Sequence, residues 1–481
     1  MANDNSSNLS RTIVKAMGIF GSIQVFNILC SIVRTKLIAL WIGPTGMGLF
    51  AIFNSVIEMV GNITNLGVRT SSIRSISLET ANPNKLSRVC TALRRWSAIL
   101  GLVGVAVLVI GAPLFSRLTF GNDSYTHGFI FLAIALLANT LTNGEHAIMQ
   151  GTAMLRKLAK SSLYGASVGL VLSIPLYYFL GEQSIIPSIL CYSLSILFFS
   201  YMMRNKDVGM KGETLSFNDT LNIGKDFLKL GFFITLTDIV TQTTNYIFIT
   251  YLNNVADTAT VGYYQAGYTL IAKYTGLILS ALCVEYFPRL SKVAHSNMKL
   301  NIFVSQELNI ALMVLTPVII AFILFRRLII TILYTESFFV IETFISVGII
   351  GMIFRAVSWC MAYVILAKGK GKLFFITETV DTFIYLALYI SAFHMWGMDG
   401  FGYAFFSWYF SYTLIVTFIY YRIFHLRLKA SCFQWIAWAL CTSFSAFLFM
   451  QNECYIGAAI VFIIATVAST IKFVQMMRRH K

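Results

Sequence analysis

Residues 31–50 read SIVRTKLIALWIGPTGMGLF, an apolar run that holds Arg34 and Lys36, is closed by Gly43 and Pro44, and passes at once into a second apolar run. A guanidinium at bilayer depth must face protein or water, because burying it in acyl chains costs about 2.5–3.5 kcal/mol even on insertion scales. Gln24, Asn27 and Ser31 precede Arg34 at steps of 3, 4 and 3, so the four share one face of a helix. Lys36 is turned roughly 200° from Arg34 at about 100° per residue, where it can snorkel to the interface beside Trp41.

The whole chain has this character. Hydrophobic residues make up 57% of the 481 positions and charged ones only 12%, with a mean hydropathy of +0.74, which places the chain outside the soluble globular class and among integral membrane proteins. The net charge of +16 does not point to nucleic acid, because most Lys and Arg fall in short segments between apolar runs, where they report orientation. The N-terminal stretch lacks an apolar h-region followed by a small-residue cleavage site, so the first apolar run reads as a span, not a signal peptide. The eight cysteines are scattered without a CxxC pair, and HExxH, Walker A and GxSxG patterns are absent, so neither metal nor cofactor nor catalytic machinery is expected.

At about 20 apolar residues per crossing, the sequence predicts an all-α polytopic membrane protein of about fourteen helices, among them 13–42, 46–67, 227–252, 260–287 and 307–334. Basic residues collect in alternate connections, such as Arg88, Arg94 and Arg95, then Arg156, Lys157 and Lys160, then Lys368, Lys370 and Lys372. This places both termini in the cytoplasm. The polar stretch RNKDVGMKGETLSFNDTLNIGK (204–225) separates the first six spans from the next six. GPTGMGLFAIFN (43–54) is weakly echoed by DTATVGYYQAGY (257–268), and six spans per half make the repeat parallel. The expected organisation is an N-terminal six-helix lobe at 1–215, a second at 216–428 around a central cavity, and a terminal hairpin with a basic tail at 429–481.

Polar stripes mark the walls of that cavity. Thr235, Asp238, Gln242 and Asn245 repeat the 3, 4, 3 spacing of the first helix. Glu58, Asn62 and Asn65, then Asn139, Asn143 and His146, then Lys273, Arg355, Glu378 and Asp381 add polar positions on other spans. Arg34 and Arg355 are candidates for anion contact, since the planar fork of arginine suits phosphate oxygens. Glu58 and Lys273 either neutralise each other or serve a ligand. Glu378 and Asp381 are either coupling sites or carboxylates solvated near a helix start, and Glu145 with His146 is either a packed polar pair or a proton relay.

The runs RTKLIALWIGPTGMGLFAIFNSVIEMVGNITNLGV (34–68), LTFGNDSY (118–125), QGTAMLRKLAKSS (150–162), VGYYQAGYTLIAKY (261–274), FPRLSKV (287–293) and GMIFRAVSWCMAYVILAKGKGKLFFITETVD (351–381) together resemble the Wzx-type O-antigen and enterobacterial-common-antigen translocases. These are oligosaccharide-lipid flippases of the multidrug/oligosaccharidyl-lipid/polysaccharide exporter superfamily. The resemblance spans residues 11–425. It implies two six-helix bundles and alternating access that moves an undecaprenyl-diphosphate-linked oligosaccharide across a bacterial inner membrane. It also implies basic cavity residues at Arg34 and Arg355, with Lys273 as a third, and an acidic position at Glu378. A proton or sodium gradient, acting on Glu58, Asp238, Glu378 or Asp381, and a polysaccharide polymerase are partners it allows. The terminal hairpin departs from the usual twelve spans. The rival is a multidrug or cation antiporter on the same scaffold, whose cavity should be net acidic.

Overall fold

The computed structural model describes residues 25–65, 67–80, 82–204, 216, 219, 220, 223 and 232–479. Gln24 and most of the 204–225 break, including the lobe boundary at 215/216, lie outside them. Among the described residues the secondary structure is helical throughout, and ten stretches are long and apolar enough to cross a membrane. The protein is an all-α, multi-pass membrane protein. Two of the ten, Leu155–Met202 and Gly371–Ile423, are helix pairs joined through a 3-10 turn at Gly181–Ser184 and Gly397–Asp399.

The chain divides into two compact units, Met1–Gly262 and Tyr263–Lys481. The first holds α1 (25–41), α2 (Pro44–Asn65), α3 (Val68–Leu78), α4 (Pro83–Phe120), α5 (Thr126–Gly151), α6 (Leu155–Leu180), α7 (Ile185–Met202), α8 (Phe232–Val255) and the start of α9 (Thr258–Tyr268). Local chemistry sets the ends. Gly43, at φ 81, takes the left-handed conformation that stops α1 and donates its N–H to the Ile38 carbonyl at 3.0 Å. Pro44 then opens α2 at the position where a missing N–H costs nothing. Asn82 caps α4 by accepting from the Lys85 N–H, and Gly121, at φ 70, ends it.

Two expectations change here. Residues 68–95 are not a loop, because α3 fills much of them and α4 begins at Pro83, so Arg88, Arg94 and Arg95 ride on the first turns of a 38-residue helix. Arg94 is in fact a half-buried bridging residue. Its guanidinium grips Glu145 of α5 at 2.7 and 3.2 Å, with side chains 21% and 4% exposed.

α8 packs along α2 and against α4. Asn253 and Asn254 donate to the Thr119 and Leu118 carbonyls at 2.7 Å each, and Thr119 Oγ1 lies 3.0 Å from the Tyr246 hydroxyl, so α8 meets carbonyls left open at the C-terminal end of α4. Where α2 meets α9 the backbones touch. A Cβ on Gly48 would lie 1.9 Å from the Thr258 carbonyl oxygen, and one on Gly262 would lie 2.0 Å from the Pro44 carbonyl oxygen. Gly262 follows Gly48, and Thr258 follows Pro44, by the same interval of 214 residues, the offset that relates 43–54 to 257–268 in the sequence. The same contact is thus made twice with the roles exchanged.

The second unit holds the rest of α9, then α10 (Gly276–Lys292), α11 (Asn297–Leu324), α12 (Arg326–Leu333), α13 (Glu342–Gly348), α14 (Met352–Ala367), α15 (Gly371–Trp396), α16 (Gly400–Phe418), α17 (Ala430–Gln451) and α18 (Tyr455–Arg479). The span expected at 307–334 starts ten residues earlier and stops at Leu324. The Arg326–Arg327 pair begins a separate short helix and binds Glu342. The span expected at 260–287 is not a uniform α-helix, because Thr269–Tyr274 widens into a π-helical turn.

α17 and α18 pack on α11. Asn297, Asn301, Ser305 and Asn309 form a stripe along α11 at four-residue steps. Asn297 donates to the Phe424 carbonyl, Asn301 accepts from Tyr420 Oη and the Arg427 N–H, Ser305 accepts from the Lys429 N–H, and Asn309 donates to Ser431. The connection into the hairpin is thereby stitched to one face of α11.

Gly48→Ala and Gly262→Ala should each destabilise the protein by about 2–3 kcal/mol, the upper range of an overpacked core, because the obstructing atom is backbone and cannot rotate away. Gly61→Ala meets the ends of two side chains, Leu136 Cδ1 at 3.3 Å and Asn65 Nδ2 at 4.0 Å, and should be mild. Thermal unfolding in detergent compares the three, and equal midpoints would contradict the account.

Candidate functional site

A cavity of about 640 Å³ opens within the first unit, walled by α1, α2, α3, α5, α6 and α7. Two stripes face into it. Glu58, Asn62 and Asn65 come from α2, and Asn139, Asn143, His146 and Gln150 come from α5. Each set recurs at three- and four-residue steps, so each lines one helix face. The stripes meet where Asn65 Nδ2 donates to Thr140 Oγ1 at 3.4 Å. Asn27 of α1 and Tyr192 of α7 complete the part of the wall that matters here.

The partners of these groups differ. Asn62 donates to the Glu58 backbone carbonyl at 2.8 Å. His146 lies 2.9 Å from Ser200 Oγ and 3.3 Å from Ser161 Oγ, which fixes its ring between α6 and α7. Its sequence neighbour Glu145 points instead to Arg94, so the two are neither a packed pair nor one relay. Asn27, Asn139, Asn143 and Gln150 are half-buried, and among the described residues none of the four has a hydrogen-bond partner. Each opens a carboxamide into the cavity.

Arg34 stands behind this wall. Its guanidinium carbon lies 4.8 Å from the Phe50 ring and 4.5 Å from the Tyr192 ring, and its Nε is buried with no hydrogen-bond partner. Held by two aromatic faces and by no carboxylate among the described residues, the cation keeps its hydrogen-bonding capacity unspent. Ser31 is half-buried on the same helix. Asp238 is exposed on α8, with Gln242 and Asn245 half-buried on that face, and none of the three lines this cavity.

The second unit holds the other candidates. Arg355 donates from Nη1 to the Ala272 carbonyl at 2.8 Å and lies 5.4 Å over the Tyr409 ring. The π-helical turn is wider than an α-turn and leaves carbonyls poorly met, and Arg355 satisfies one of them. Arg355 is therefore engaged in holding the broken helix. Lys273, in that turn, is exposed.

The reading of Glu378 and Asp381 as solvated first-turn carboxylates does not hold. They lie about two turns into α15, counted at roughly 3.6 residues per turn. Asp381 is only 5% exposed and accepts from Trp408 Nε1 at 2.9 Å, while Glu378 accepts from the Tyr412 hydroxyl. Tyr264 is buried against Phe344, Tyr389 and Phe401, and Trp359 packs on Tyr286 and Tyr363, so both serve packing. Gln150 extends the α5 stripe by one more turn and was readable from spacing. Tyr192 and Arg69 carry no such signal, since each enters the wall through tertiary packing.

Comparison with known proteins gives a consistent picture. A family model described as "Polysaccharide biosynthesis protein" matches residues 37–343. A putative O-antigen transporter of Shigella flexneri is 25% identical over 371 residues, covering 75% of this chain and 86% of the relative. A lipid III flippase of Escherichia coli strain K12 is 22% identical over 369 residues, covering 74% and 85%. Among solved structures, the lipid II flippase MurJ in an inward closed conformation superposes with a TM-score of 0.74 at 14% identity, covering 95% of this chain and 99% of that one, which shows a shared fold.

The two arginines should separate in stability. Arg355→Ala removes a charged hydrogen bond worth about 1.5–3 kcal/mol and should lower the thermal midpoint, followed by tryptophan fluorescence in detergent. Arg34→Ala removes aromatic contacts worth about 0.5–2 kcal/mol and should lower it less. An unchanged midpoint for Arg355→Ala would refute the bracing role.

Proposed function

The chain belongs to the polysaccharide biosynthesis protein family, and from that premise we propose that it moves a lipid-linked oligosaccharide across the bacterial inner membrane without making or breaking a covalent bond. The observation that carries the reading is a polar cavity sunk among membrane-spanning helices in a member of this family. The relatives named as an O-antigen transporter and a lipid III flippase support the same class of cargo. We read the cargo as an undecaprenyl-diphosphate-linked repeat unit of a surface polysaccharide, passed on to polymerising machinery.

In this reading the lobes at 1–215 and 216–428 rock about the cargo in alternating access, both termini are cytoplasmic, and 429–481 is an added hairpin. Arg34 draws the diphosphate, its Nε unspent beside the cavity wall. Arg355 and Lys273 add positive charge near the π-helical turn, Arg355 while bracing it. Asp381, buried beside Trp408, and Glu378, half-buried beside Tyr412, are the preferred coupling sites for a proton or sodium gradient, with Glu58 a further one. The cation-antiporter alternative draws no support from the cavity, where the Arg69 guanidinium balances the Glu58 carboxylate and leaves no acidic surplus.

In a strain deleted for this protein, wild type should restore surface polysaccharide. Arg34→Ala should abolish it at normal membrane levels, and Arg34→Lys should retain part. Normal export by Arg34→Ala would remove the charge-dependent cargo contact, and failure of the wild type would remove the flippase reading. In proteoliposomes, Asp381→Asn should cancel any acceleration of lipid-linked oligosaccharide flipping by an imposed proton or sodium gradient. Equal acceleration in variant and wild type would take Asp381 out of coupling.

A further inference from the structure

The cavity of the first unit has a chemistry that the flippase reading does not by itself require. Its volume of about 640 Å³ sits within the range of roughly 300–1,000 Å³ typical of small-molecule sites. Its charged lining, Glu58 and Arg69, is balanced. The rest of its polarity comes largely from carboxamides, and four of them, on Asn27, Asn139, Asn143 and Gln150, meet no protein partner among the described residues.

Each carboxamide presents two N–H donors and a carbonyl acceptor side by side, with no net charge. All four are half-buried and open to water, so a ligand that displaces this water from the space they share must both donate and accept in its place. A phosphate oxygen only accepts. It would use the N–H groups, would be repelled by the neighbouring carbonyls, and would find no surplus cation. A sugar hydroxyl donates and accepts at one atom, and an acetamido substituent pairs with a carboxamide in both directions.

We propose that this cavity is a binding site for an uncharged sugar bearing hydroxyl or acetamido groups, and not for the diphosphate; the inference rests on the flippase reading and assigns the two parts of the cargo to different places. Asn139 and Asn143 are its central contacts, one turn apart on α5. Tyr192 supplies the aromatic wall, and Arg34, seated on the Tyr192 ring at 4.5 Å, is at once the anion contact outside the cavity and the positioning residue for that wall. A cargo lying with its sugar among the carboxamides would bring its charged end toward Arg34.

The test is saturation-transfer NMR on the full-length protein in nanodiscs, with glucose, galactose and N-acetylglucosamine as probes and inorganic pyrophosphate as competitor. At least one sugar should receive saturation from the wild type, and N-acetylglucosamine should receive the most. Asn139→Leu and Asn143→Leu should weaken the signal at least fivefold, Asn143→Gln should restore part of it, and pyrophosphate should not displace the sugar. Absence of transfer from all three sugars, undiminished transfer in both Leu variants, or displacement by pyrophosphate would overturn the site. Surface polysaccharide is scored in parallel. Export without sugar binding overturns the cavity assignment and leaves the flippase reading standing, whereas sugar binding without export by the wild type does the reverse.

Discussion

Inside a bilayer a polar group has no water to turn to, so each one must find a partner within the protein or open onto a wet space. Many hydroxyls here take the local route and donate to a carbonyl three or four residues back, as Thr35, Thr64, Ser173 and Thr316 do. Those groups report nothing beyond their own helix. The groups that reach a distant partner instead organise the molecule. Arg94 and Glu145 lock α4 to α5, Asn253 and Asn254 finish α4, and Arg355 meets the carbonyl left over by the π-helical turn. The carboxamides of Asn139, Asn143 and Gln150 on α5, without a partner among the described residues, enclose the cavity together with Asn62 and Asn65 of α2, which do have one.

That division also explains what was legible in the sequence. Apolar length is a one-dimensional property, so the crossings were readable, and so were stripes repeating on a single helix. Asn62, Asn65, Asn139, Asn143 and His146 were readable as wet positions from spacing alone, and they line the cavity. Partners distant in sequence were not. Trp408 reaches Asp381 across 27 residues, Tyr412 reaches Glu378 across 34, and Arg94 reaches Glu145 across 51, so no local pattern betrays them. The start of α4 at Pro83 was missed because amphipathic turns before a span look like a loop on hydropathy. The π-helical turn at 269–274 was missed because a change of helical pitch leaves no mark on composition.

The glycines at 48 and 262 illustrate a different constraint. Each lets a carbonyl from the other segment approach closer than any side chain allows, and the two contacts exchange roles across an interval of 214 residues. A weak textual likeness between 43–54 and 257–268 thus coincides with a geometric one. The residues that match are those whose lack of a Cβ the packing needs, which is why the likeness survives there and is faint elsewhere.

The Asn297, Asn301, Ser305 and Asn309 stripe on α11 has a consequence for the order in which the molecule is made. Its partners lie more than a hundred residues later, the Arg427 amide 126 residues beyond Asn301. At a synthesis rate of about 5–20 residues per second, that interval lasts roughly 6–25 seconds. Throughout it, α11 is already in or at the membrane with a polar face unmet by its final partners. The stripe therefore stays open until the connection that follows α16 has been made. Closure of this part of the second unit waits on residues 420–431, whose arrival makes the polar face of α11 compatible with lipid.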